Sequence, residues 1–270
     1  MLNKNINYLD FLNYWLNVYK IPYIKPSSVK RIQAEIKNIP EELKQTRVKD
    51  ITAEMIDKAI SNVKLSRSRK YVYYVYHNSL HRAYCLNLLK DNVAEKMFLV
   101  RHKQKRGQAL TREEQENFLQ AIKSTIYENA FKFLLYSGVR RTELLTIRFD
   151  DVFIKDKLIK VNGTKTATSE RFIPLTDNLA EIIEEERKRA KTSYIFNFKP
   201  DTLTHIFKKY CQNHKLHDLR HTYITRCAES GININVTQNL VGHSTLNTTL
   251  SIYTHISQKF IQDEIKKLKI

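Results

Sequence analysis

Four side chains late in the sequence have the types and the spacing to attack a phosphodiester. The run LHDLRHTYITRCAESGININVTQNLVGHSTLNTTLSIYTHIS, residues 216–257, holds His217 and Arg220, then His243 in a Gly-His pair, then Tyr253. A phosphodiester under attack gains charge on its non-bridging oxygens, and a guanidinium fork meets those oxygens with paired, charge-assisted hydrogen bonds. Arg220 suits that task, and His243 can add another donor. A tyrosine hydroxyl, with its ordinary pKa of about 10, needs help losing its proton before it becomes a nucleophile, and His217 is the natural base. A covalent phosphotyrosyl link would keep the energy of the broken bond, so resealing would need neither ATP nor a metal.

These residues resemble, in order and spacing, the C-terminal motif of the tyrosine recombinases, the phage-integrase and Xer family, in which HxxR, a Gly-His pair and a tyrosine recur. Upstream, SGVRRTELLTI is similar to that family's first arginine box, with Arg140 as the arginine and Glu143 three residues on. VNGTKTATSERFIPL is similar to the family's β-hairpin with a catalytic lysine, and Lys165 falls at the lysine's place. The resemblance implies that Arg140 and Arg220 both grip the transferring phosphate. It implies that Lys165 returns a proton to the departing 5′ oxygen, its pKa depressed by neighbouring arginines. Glu143 would orient a histidine or arginine of the site without reacting. Lys160 and Arg171 are alternatives for the proton donor, while Tyr223 and His255 lie near the nucleophile but off its motif position. His221 is expected on another side of its helix, in a structural hydrogen bond. Arg141, turned by about 100° from Arg140, is expected on the DNA backbone or in solvent.

To hold such residues the chain needs a scaffold, and the pattern predicts a mainly α protein of two domains. Helical apolar spacing runs through NYLDFLNYWLNVYK, SSVKRIQAEIKNI, ITAEMIDKAISNV and KYVYYVYHNSLHRAYCLNLL, giving four helices in a first domain over residues 1–100. This stretch bears a weaker likeness to the family's helical, SAM-like DNA-clamping domain. Pro22 and Pro26 separate the first two helices, and Thr52 with Glu54 suits the start of the third. A basic linker follows over 101–108. Thr111 and Glu114 then stand at capping-box spacing at the start of a second domain, 109–270. That domain reads as mostly helical with one small antiparallel sheet, because DDVFIKDKLIKVNGTKTATSERFIPL has the β-branched runs and turn residues of short strands. The acidic run EIIEEERKRA reads as the solvated face of a helix. The tail SQKFIQDEIKKLKI places Ile261, Ile265 and Leu268 on one helical face. It packs on its own domain or, as the resemblance implies, on a neighbouring protomer.

Composition points to the same kind of partner. The 46 Lys and Arg against 28 Asp and Glu give a net charge of +18, the footprint of a polyanion ligand. Residues 1–107 hold 21 basic and 9 acidic residues, a surplus of 12, against a surplus of 6 in the remainder, so the first domain is the more electrostatic part. Lys30, Arg31, Arg67, Arg69 and Lys70 are expected to face duplex DNA there, and Arg101, Lys103, Lys105 and Arg106 to cross its phosphates in the linker. Of Tyr71, Tyr73, Tyr74 and Tyr76, some are expected to pack and some to lie on sugar-phosphate. No phosphate loop, zinc spacing or two-metal carboxylate cluster is present in the sequence, and no cofactor or metal is expected. The three cysteines lack CxxC spacing and fit a reducing cytoplasm, where the chain would stay with the nucleoid. No signal peptide and no apolar run of membrane-spanning length is seen.

The first amphipathic helix begins within ten residues of the start, so an arm-binding module of the kind many phage integrases carry is not expected. The expectation is a site-specific recombinase acting as a tetramer on paired core-type DNA sites, with an accessory directionality protein as a further partner. A type IB topoisomerase that relaxes supercoils as a monomer, and a silent DNA-binding regulator on the same scaffold, are the alternatives.

Overall fold

The computed structural model describes residues 2–64, 66–98, 107–163 and 170–242, with the side chains of residues 66 and 67 left aside. It divides into two compact units, Met1–Lys105 and Arg106–Ile270.

Among its described residues the first unit is helical, apart from one isolated antiparallel bridge between Asn7 and Arg47. Helix α1, Tyr8–Tyr19, starts where the Asn7 side chain accepts from the Asp10 N–H at 2.8 Å, and it buries Tyr8, Phe11, Leu12, Trp15 and Leu16. That spacing of three and four residues makes a single apolar stripe. Helix α2, Pro26–Lys37, begins on a proline, whose missing N–H costs nothing in a first turn. A short α3, Glu41–Gln45, precedes α4, Ala53–Ser61, which is capped by the Thr52 hydroxyl accepting from Met55 N–H. Helix α5, Ser66–Cys85, is the long central element, and α6, Val93–Lys96, packs against it. The four helices expected from periodicity are thus present, joined by two short ones too brief to show a period. Tyr73 and Tyr76 are buried on α5, and the Tyr8 hydroxyl shares a buried 2.8 Å hydrogen bond with Ser79.

The second unit is helical around a small sheet. Helix α7, Arg112–Ala121, opens with the expected capping box, Thr111 and Glu114 each accepting from the other's backbone N–H. Helix α8, Glu128–Ser137, is buried on most sides and ends at Gly138 in the left-handed conformation, φ 64°. A one-turn helix α9, Arg141–Leu144, leads to strands β1, Val152–Phe153, β2, Leu158–Val161, and β3, Arg171–Pro174. These pair antiparallel in the order β1-β2-β3, with Val161 opposite Arg171 and Ile159 opposite Ile173. Helices α10, Asp177–Arg189, α11, Pro200–Tyr210, α12, Asp218–Glu229, and α13, Ile234–Val241, complete the described part of the unit. Helix α8 packs on both α10 and α12, and α13 packs on α12 and β3. Phe118, Phe131 and Phe207 meet at ring separations of 5.2 to 6.0 Å in the middle of this core.

The acidic run on α10 is only partly a solvated face. Glu185 and Glu186 accept from the amide of buried Asn129 on α8, at 3.1 and 2.7 Å, because the polar group inside needs acceptors. Among the described residues no helix is long and apolar enough to cross a membrane.

Candidate active site

Arg140 owes its position to the way α8 stops. After the left-handed turn at Gly138 the chain runs extended through Arg140, and Glu143 in α9 folds back onto it. The Glu143 carboxylate accepts from the Arg140 backbone N–H at 2.8 Å and from Arg140 Nη1 at 2.6 Å. Its Oε2 also takes Arg171 Nη2 at 3.0 Å. Glu143 is 1% exposed. Burial would raise its pKa, but the hydrogen bond and charge of Arg171, and then those of Arg140, outweigh it and hold the carboxyl below its ordinary value.

Arg220 enters from the first turn of α12 and is 2% exposed. Its Nη1 donates to Gly138 O at 2.7 Å and its Nη2 to Val241 O, while Nε is buried without a partner. Burial, followed by the charge of nearby Arg140, pushes this guanidinium down to about 9, so it remains a cation at neutral pH. Arg140 Nη2 donates to Gly242 O at 2.9 Å, and Arg171 Nε to Leu240 O at 2.6 Å. Three successive carbonyls at the end of α13 are therefore each taken by a different arginine. The arrangement suits both partners, since the last carbonyls of a helix lack intrahelical donors and carry partial negative charge.

His217 immediately precedes α12, its ring 5.2 Å from that of His221 and edge-on to it. His217 is exposed overall, yet the protein packed around its ring, together with the neighbouring His221, Arg220 and Arg140, pushes its pKa down to about 4. The ring is then neutral at physiological pH, the form a base requires. The structure thus brings together Arg140, Glu143, His217 and Arg220, with Arg171 among them. Lys165, His243, Tyr253, His255 and the C-terminal tail lie outside the described residues.

Several expectations change. Arg171 is no alternative proton donor. It is 8% exposed in its side chain and bound to a carboxylate and a carbonyl, because strand alternation sends it inward with Ile173. Lys160, on the opposite face, pairs with Glu170 at 2.8 Å. Arg141 is neither free in solvent nor directed only to DNA, since its Nη1 reaches Pro200 O at 3.0 Å and Thr204 Oγ1 at 2.6 Å, clasping the start of α11. His221 lacks the anticipated structural hydrogen bond at Nδ1, which is buried without a partner. The ring instead packs so closely on Gly107 that a Cβ there would lie 2.3 Å from it. Tyr223 is held under Gly138, and burial raises its pKa, unlike a poised nucleophile.

Two supporting groups carried no sequence signal. His214, buried, sits between Glu114 at 3.2 Å and Asp218 at 3.5 Å. Thr222 and Arg226 on α12 bind the N–H and C=O of Leu110, each at 2.9 Å. Both rest on main-chain groups or distant partners that a local pattern does not reveal.

In the first unit Arg31 lies over the Tyr71 ring at 3.1 Å and Lys70 is 5.9 Å from the Tyr74 ring. Lys30 and Arg31 are exposed on α2, which packs on α5. Arg69, by contrast, is partly buried and donates through Nε to Val63 O, which limits its reach toward a ligand. The side chain of Arg67, and residues Arg101, Lys103, Lys105 and Arg106, lie outside what is described.

A helical unit followed by a unit in which arginines from the α8–α9 turn, β3 and α12 converge on one helix end defines an integrase-like architecture. The profile of the Phage integrase family matches residues 108–259, and that of the phage integrase N-terminal SAM-like domain matches residues 8–63. The chain belongs to the phage integrase family.

A tyrosine recombinase of Pseudothermotoga lettingae is 34% identical over 148 residues, which are 50% of this chain and 51% of that one. Tyrosine recombinase XerA of Thermococcus onnurineus is 30% identical over 201 residues, 67% of this chain and 69% of its own. The chain thus spans about half the length of the first relative and about two thirds of the second. Among solved structures, a lambda integrase dimer bound to a COC' core site superposes with a TM-score of 0.81 at 18% identity, covering 93% of this chain and 78% of that one. The Tn1549 transposon integrase in complex with a circular intermediate DNA gives 0.78 at 15% identity, covering 98% and 100%.

Proposed function

We propose that this protein is a site-specific tyrosine recombinase, which cleaves and rejoins DNA strands through a 3′-phosphotyrosyl intermediate. The observation that carries the reading is the gathering of Arg140, Arg220 and a neutral His217 within a chain of the phage integrase family. Arg140 and Arg220 hold the non-bridging oxygens as charge builds on them, and His243 adds a donor. His217 takes the proton of Tyr253 as its oxygen attacks phosphorus. Lys165 returns a proton to the 5′ oxygen as that bond breaks, and Glu143 keeps the arginines oriented. Reversal with a different 5′ hydroxyl completes strand exchange.

Duplex DNA with core-type sites is the partner. The first unit, residues 1–100, is the clamp through Lys30, Arg31, Arg67 and Lys70, and the basic linker follows the phosphates. A solved relative is a lambda integrase tetramer bound to a Holliday junction, which supports a homotetramer on paired sites here. Selection between integration and excision is assigned to an accessory directionality protein, and the working compartment is the nucleoid.

Nicked duplexes from the gene's own flanking DNA test the reading on a denaturing gel. Wild type is expected to give a covalent protein–DNA band, and Tyr253→Phe to bind the same duplex without one. A band that persists in Tyr253→Phe would move the nucleophile to another residue.

A further inference from the structure

Arg171 belongs to none of the roles set out above, yet it is one of the most tightly held charges in the second unit. Strand alternation turns it inward beside Ile173 and opposite Val161. Its Nε donates to Leu240 O at 2.6 Å and its Nη2 to Glu143 Oε2 at 3.0 Å. A Cβ on Gly242 would stand 3.0 Å from its Nη1, so the backbone at the end of α13 passes directly against the guanidinium. Burying a guanidinium is costly unless hydrogen bonds and an opposite charge compensate, and both are supplied here by protein groups. The side chain is thereby spent inside the protein, whereas Arg140 is 28% exposed.

The three segments it joins are the ones that matter for the transfer chemistry. Strand β3 pairs with β2, Lys165 lies between them in sequence six positions before Arg171, Gly242 directly precedes His243, and Glu143 is bound to Arg140. We propose that Arg171 is a positioning residue, which fixes the end of α13 and the Glu143–Arg140 pair relative to the β-hairpin through its contacts with Leu240 O and Glu143. This rests on the recombinase reading for its consequence in catalysis, but not for the clamp itself. Lysine has no fork, so a single ammonium cannot reproduce the guanidinium's two-sided geometry.

Two measurements on the full chain test it, with Arg171→Met and Arg171→Lys. The first is amide hydrogen exchange without DNA. Residues 234–242 should exchange at least about tenfold faster in Arg171→Met while α8 keeps its protection, since only the local opening is made easier. The second is the single-turnover rate of covalent adduct on a nicked duplex at saturating protein, read beside the dissociation constant. Affinity is expected within about twofold of wild type, with the rate down by about 100-fold in Arg171→Met and about tenfold in Arg171→Lys. A residue serving only global stability would lower the melting temperature and leave the rate per folded molecule unchanged, which would overturn the positioning role. Unchanged exchange at 234–242 in both variants would overturn the clamp. If wild type gives no Tyr253-dependent adduct, the recombinase reading fails, and the exchange result still decides whether Arg171 holds α13. Should Arg171→Met not fold, Arg171→Lys carries both measurements.

Discussion

At the scale of single residues, Glu143 is the pivot of the cluster. It forms ion pairs with both Arg140 and Arg171, so its single negative charge offsets one of the three guanidinium charges gathered there. Removing it takes a countercharge from Arg171 in a nearly dry site. Glu143→Gln is expected to lower unfolding free energy by about 3 kcal/mol, the range seen when one member of a buried pair is lost, and urea denaturation would show it. His217 and His221 set a pH window of their own. Both have pKa values below the ordinary histidine value, chiefly through burial, His217 at about 4. Between an unfolded pKa of about 6.5 and that value the unfolded chain binds more protons, so stability falls as pH drops through the window and is whole above it. The melting temperature should therefore decline from about pH 6.5 toward pH 4, less steeply in His217→Asn. An equal slope in that variant would remove His217 from the account.

At the scale of elements, the turn between α8 and α9 does two jobs. It gives Arg140 its direction, and its Gly138 carbonyl receives Arg220. Gly138→Ala would put a β-carbon in the left-handed region and 2.4 Å from the Tyr223 ring, so a loss of about 2 kcal/mol or more is expected, together with slower adduct formation. Unchanged stability would mean that Tyr223 moves aside without cost. The same turn shows what the sequence can and cannot say. Helices with an apolar stripe, such as α1, and ends with side-chain caps, such as Thr111 with Glu114, are readable because the signal is local. The grouping of Arg140, Glu143, His217 and Arg220 was open to reading too, through the likeness of their motifs to those of a known family. Arg171 was named, but for the wrong duty, and period-two alternation with Ile173 was the clue to its inward face. That α13 supplies the acceptors could not be read, because every residue type carries the same carbonyl.

For the molecule as a whole, the positive charge is concentrated in the earlier part of the sequence. A surplus of 12 positive charges lies in residues 1–107, and binding to DNA should fall steeply with salt. Lys30→Ala, at an exposed position on α2, is expected to reduce the slope of log affinity against log salt by about one without changing sequence preference. A slope equal to wild type would take Lys30 off the interface. The three arginines reach the end of α13 across 102, 69 and 21 residues of chain. During synthesis at roughly 5–20 residues per second, Arg140 waits on the order of 5–20 s for its last acceptor to be made. The cluster cannot close on a partial chain, so the site proposed for strand cleavage stays unassembled in a nascent polypeptide until synthesis has passed Gly242.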